Sequence, residues 1–131
     1  MNKRFLLIAV VVGALSVILG AFGAHGLKQL VDDNALKIFE TAVRYQFYHV
    51  FALALTAILY KEFSAKYLYY AGWFFIIGII LFSGSLYMLT YRAATNMDGL
   101  NWVGPITPIG GLFFIMGWVC LALAIAGKKS K

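Results

Sequence analysis

The hydropathy pattern of this chain constrains its fold more than any motif does. Four apolar runs, near residues 5–27, 42–60, 67–91 and 105–127, are each long enough to cross a bilayer. At 1.5 Å of rise per residue, about 20 helical residues span the roughly 30 Å of hydrocarbon. Inside hydrocarbon every backbone N–H and C=O must be bonded within its own segment, and for runs of this length that means helices. Hydrophobic residues make up 63% of the chain against 12% charged, a balance that would cover a water-soluble surface with apolar patches. The sequence therefore predicts an all-α integral membrane protein. The expected architecture is a four-helix antiparallel bundle forming one domain over residues 1–131.

The net charge of +6 comes from 11 Lys and Arg against 5 Asp and Glu. The basic residues sit at the ends of the runs and not along one face, so they read as topology signals, and nucleic acid is not expected as a partner. If the N-terminus is cytoplasmic, that side holds Lys3, Arg4, Lys61, Lys66, Lys128, Lys129 and Lys131. The other side then holds Lys28, Lys37, Arg44 and Arg92. This bias predicts both termini inside. The first run exceeds the h-region of a secretory signal, about 7–15 residues, so it is read as a retained span. Cys120, the single cysteine, has no partner for an internal disulfide and reads as a small packing residue.

Along the first run Gly13, Ser16, Gly20, Gly23 and Ala24 share one helical face. Ser16, Gly20 and Ala24 form a small-xxx-small ladder, which lets a second helix approach closely. Asp32, Asp33 and Asn34 offer a helix cap, and their charge suits the positive end of the helix dipole. From there Leu36, Phe39, Val43 and Phe47 repeat at helical spacing, and nothing breaks the helix before Tyr60. The second helix should therefore overshoot the membrane. Glu40 and Arg44 stand i, i+4 with the acid first, the favourable order for an ion pair. Thr107 is read as the cap of the last helix and Pro108 as its first residue.

Threading the four runs up and down gathers the polar side chains at one end. His25 closes the first span there, and Glu40, Arg44, Gln46 and His49 enter the second. Ser83, Ser85, Tyr87, Thr90 and Arg92 lie in the last part of the third. The opposite halves are aliphatic or aromatic, with Thr56 the main exception. Polar groups in hydrocarbon must bond one another, reach the headgroups, or line a site. The candidate ligand- or lipid-binding residues are His25, Glu40, Arg44, Gln46, His49, Ser83 and Tyr87. No HxxxH or HxxE spacing puts two metal ligands on one helix, and Ser83-Gly84-Ser85 lacks the strand–turn–helix setting of a nucleophile. No catalytic set, metal or cofactor is expected. Two functions fit: binding of membrane lipids or a partner membrane protein through the polar end, or an oligomeric channel or transporter for a small solute or ion.

Four strings carry a family resemblance: Gly20-Ala21-Phe22-Gly23-Ala24-His25-Gly26-Leu27, Thr41-Ala42-Val43-Arg44-Tyr45-Gln46-Phe47-Tyr48-His49, Phe82-Ser83-Gly84-Ser85-Leu86-Tyr87, and Gly104-Pro105-Ile106-Thr107-Pro108-Ile109-Gly110-Gly111. In this order they closely resemble the YgdD/YwdK family of small inner-membrane proteins of unknown function. The resemblance implies four transmembrane helices and a bacterial plasma-membrane location. It brings no activity, cofactor or catalytic residue.

Overall fold

The computed structural model describes residues 1–127. Lys128, Lys129 and Lys131, which weigh in the orientation argument, lie outside the described residues. Helix α1 (Lys3–Ala24) ends near a single 3-10 turn, Leu27–Gln29, and α2 (Asp33–Ile58) runs into another, Leu59–Lys61. Helices α3 (Ala65–Gly78) and α4 (Gly84–Thr95) are joined by a π-helical turn, Ile79–Ser83, into one continuous rod. A 3-10 turn, Asn101–Val103, leads into α5 (Ile106–Ala126). The described residues thus build four helices long and apolar enough to cross a membrane, and no strands.

The caps show why the helices begin and end where they do. Asn2 Oδ1 accepts from the backbone N–H groups of Arg4 and Phe5, 3.1 and 3.2 Å away. Asp32 accepts from Ala35 N–H at 2.8 Å, and Asp33 follows in the first turn. Both satisfy donors that a helix start leaves open. Helix α4 stops at Asn96, which adopts the left-handed conformation (φ 50°) that asparagine tolerates best after glycine. At α5 the structure departs from the sequence expectation: the helix begins at Ile106 with Pro105 at its cap. Thr107 lies inside the first turn and its hydroxyl is engaged across the bundle by Ser85. Pro108 is still within that turn, where its missing N–H leaves no bond unmade.

Helix α2 is the central element, its apolar stretch 44% buried against 17% for α1. Helix α1 leans on α2 through the predicted small-residue face. Gly13 lies against Val50, Gly20 against Val43 and Gly23 against Phe39, whereas Ala24 is exposed. At Gly23 a Cβ would come within 2.8 Å of the Phe39 ring, so any larger residue there requires that ring to shift. Elsewhere phenylalanines seat on glycines of facing helices: Phe5 on Gly72, Phe114 on Gly78 and Phe75 on Gly117. The α3–α5 contact, closed by Leu68, Ala71, Phe75, Phe114, Leu121 and Ala124, forms one core, and Phe5, Ala9, Val50, Leu53 and Ala57 form another.

Asn2 N–H donates to Ala57 C=O at 2.8 Å, so the start of α1 lies beside the end of α2. The close of α5 packs beside the start of α3 in the first core. The start of α1 and the close of α5 therefore share one end of the bundle. The α1–α2 turn and the Asn96–Val103 loop lie at the other.

Candidate functional site

The inward face of α2 carries Ala35, Phe39, Ala42, Gln46, His49, Val50 and Leu53, all buried. Gln46 joins three helices. Its Nε2 donates to Ser16 Oγ on α1 at 2.8 Å, and its Oε1 accepts from Tyr87 OH on α4 at 2.7 Å. Ser16 Oγ in turn donates to Val12 C=O at 2.8 Å, which completes the chain. Ser16 thus belongs to the polar network as well as to the packing face on which sequence placed it.

The π turn positions two more hydroxyls toward different neighbours. Ser83 Oγ donates to Ala42 C=O on α2 at 2.7 Å. Ser85 Oγ lies 2.6 Å from Thr107 Oγ1 on α5 and 2.8 Å from its own Phe82 C=O. A π turn inserts one residue into the helical register. At the same level Gly110 of α5 meets the Phe82 backbone, so closely that a Cβ would stand 2.7 Å from Phe82 Cα.

His49 belongs to a separate cluster. Its Nδ1 is 2.7 Å from Tyr45 C=O, a contact that needs a proton on Nδ1, and its Nε2 accepts from Trp118 Nε1–H at 3.1 Å. Hydrogen-bond logic assigns the neutral Nδ1–H tautomer. The ring stacks on Phe114 with centroids 3.5 Å apart and planes at 8°. Both nitrogens are occupied, which leaves no lone pair for a metal or a substrate proton.

The charged candidates lie outside these networks. Glu40 and Arg44 are exposed, and among the described residues neither has an ion-pair or hydrogen-bond partner inside the chain. The expected i, i+4 pair is therefore not formed. Both flank a groove of about 220 Å³ between α1 and α2, floored by Gly20, Gly23, Phe39, Val43 and Phe47 with Ala24 at its edge. His25 is exposed at the C-terminal cap of α1, beside Lys28 and Gln29. Arg92 donates to Asn101 Oδ1 at 2.9 Å and steadies the loop before α5.

The predicted residues therefore divide into a buried, uncharged set (Gln46, His49, Ser83, with Tyr87 partly buried) and an exposed set (His25, Glu40, Arg44). Every buried side-chain N or O among the described residues has a partner. No group of three or more His, Cys, Asp or Glu converges among them. Sequence reasoning passed over Trp118, Phe114 and the Ser85–Thr107 contact. Trp118 did carry a signal: an indole N–H in mid-helix, away from an interfacial belt, needs an acceptor nearby.

Four apolar helices fastened by uncharged hydrogen bonds define a multi-pass helical membrane protein. The comparisons place it further. Residues 19–111 match the family described as protein of unknown function (DUF423). A UPF0382 membrane protein of Staphylococcus aureus is 39% identical over 122 residues, covering 93% of this chain and 94% of that one. The Bacillus subtilis UPF0382 membrane protein YwdK is 38% identical over 123 residues, 93% and 95% of the two chains. A UPF0382 membrane protein of Haemophilus influenzae is 39% identical over 133 residues, 99% of each. The chain belongs to this DUF423/UPF0382 family of bacterial membrane proteins. No solved structure matches it.

Proposed function

We propose that this protein is a non-catalytic plasma-membrane protein that binds a phospholipid in the groove between α1 and α2. The observation that carries this reading is the groove itself: an apolar floor of small residues and two aromatic rings, rimmed by two charges without internal partners. Lipid supplies both an apolar chain for the floor and a charged headgroup for the rim. The buried polar groups support the same reading by what they lack. Among the described residues they are uncharged, satisfied by one another and by backbone carbonyls, and closed in by Phe–Gly packing, so they offer a solute no continuous path.

A phospholipid with a photoactivatable group in its acyl chain tests the reading. Illumination of the protein in vesicles should crosslink peptides containing Gly20–Ala24 and Val43–Phe47 above the rest of the lipid-facing surface. Ala24→Leu, which fills the groove from an exposed position, should remove that excess. Uniform labelling along all four helices would sink it.

A further inference from the structure

Glu40 and Arg44 are one helical turn apart, which sets them about 6 Å apart along the α2 axis. Arg44 is the deeper of the two. Beyond it toward the bundle centre lies Phe47, and Val43 and Phe39 continue the apolar floor. Helix α2 and its terminal 3-10 turn cover 29 residues, more than the roughly 30 Å of hydrocarbon requires. With the Leu59–Lys61 end at one interface, Arg44 falls just inside the other and Glu40 at its edge. The groove thus presents an apolar floor running from Phe47 to Phe39, with a cation at its inner part and an anion about one turn further out.

We infer that the groove selects phospholipids whose headgroup carries both a phosphate and a primary ammonium. This deepens the lipid-binding reading above and rests on it. In such a headgroup the phosphate sits at the glycerol end and the ammonium lies further out, the same order as Arg44 and Glu40. The guanidinium takes the phosphate in a two-pronged hydrogen bond. The ammonium, with three N–H donors, meets the Glu40 carboxylate. A glycerol headgroup carries the same phosphate for Arg44 but no ammonium, and leaves Glu40 unmatched. A trimethylated ammonium would bring charge to Glu40 but no N–H to donate. At about 220 Å³ the groove is smaller than a pocket that encloses a whole ligand, so it holds a chain segment and leaves the headgroup at the rim.

Native mass spectrometry of the full chain tests this, with the protein released from bilayers of equal parts ethanolamine, choline and glycerol phospholipids bearing the same acyl chains. Exposed charge contacts are modest, so the ethanolamine lipid should be retained about threefold over the other two. Glu40→Gln should bring that preference to about one while total bound lipid holds. Arg44→Gln should lower retention of all three lipids about equally, by about threefold. Both positions are exposed, and circular dichroism verifies that the helices persist. Equal retention of the three lipids, or preference for the glycerol lipid, with loss still seen in Arg44→Gln, overturns the headgroup inference and leaves the groove reading standing. Absence of any bound lipid, or lipid indifferent to both Arg44→Gln and Ala24→Leu, overturns the two together.

Discussion

Single side chains in this protein are matched donor to acceptor. Gln46 is the clearest case, because it uses its amide N–H on Ser16 and its amide oxygen on Tyr87. Replacing it by Leu keeps the size but strands both partners. In a membrane bundle such hydrogen bonds average about 0.6 kcal/mol, with a maximum near 1.7. Gln46→Leu should therefore lower stability by about 1–2 kcal/mol and Tyr87→Phe by about 0.6. A double-mutant cycle in a denaturant titration measures the coupling. Additive effects of Gln46→Leu and Tyr87→Phe would contradict the contact. At this scale the sequence marked Gln46, His49, Ser83 and Tyr87 as needing partners, because hydrocarbon leaves them no alternative. It did not disclose which partners they take. Trp118 lies 69 residues from His49, and their meeting depends on how α2 and α5 are juxtaposed. Glu40 and Arg44 show the converse: spacing suited to a pair did not produce one, because spacing along a helix does not fix which way two long side chains turn.

At the scale of elements, the four long helices were legible from hydropathy and the start of α2 from capping chemistry, whereas the cap read at Thr107 falls at Pro105. The unbroken apolar repeat alone predicted that α2 is long, and Asp32 marks its start. The π turn at Ile79–Ser83 was not legible. A one-residue change of register alters no hydropathy average, and here it coincides with contacts from other helices: Ser83 on Ala42 C=O and the Gly110 backbone against Phe82. This juxtaposition makes a sharp prediction about two adjacent glycines. A Cβ at Gly110 would stand 2.7 Å from Phe82 Cα, whereas one at Gly111 would meet only the Phe82 ring at 3.9 Å. Backbone cannot swing aside as a side chain can. Gly110→Ala should destabilise by about 1–3 kcal/mol through overpacking. Gly111→Ala should be neutral or slightly stabilising, since alanine favours a helix by about 1 kcal/mol over glycine. Thermal unfolding of the two variants in one detergent separates them. Equal midpoints would show that α5 can withdraw from the π turn without loss.

The whole molecule is asymmetric along its axis, and that asymmetry predicts an orientation. The end that holds the start of α1 and the Lys61–Lys66 turn carries basic residues with few acids. The end with Lys28, Lys37, Arg44 and Arg92 also carries Asp32, Asp33, Glu40 and Asp98, together with the groove and the polar half of the bundle. Lysine and arginine near the span ends are held on the cytoplasmic side, and acidic residues contribute little to the choice. The basic end should therefore face the cytoplasm, placing the groove in the outer leaflet. Single cysteines in a Cys120→Ser background read this directly, because Cys120 itself is half-buried within α5. A cysteine at Ser64, in the α2–α3 turn, should react with a membrane-impermeant maleimide only after cells are opened. One at Asp98, in the exposed loop before α5, should react in intact cells. The reverse pattern would put the groove in the inner leaflet, and with it the lipids that reach Arg44. Labelling of both sites in intact cells would mean a chain that inserts both ways, in which the charge bias is too weak to decide.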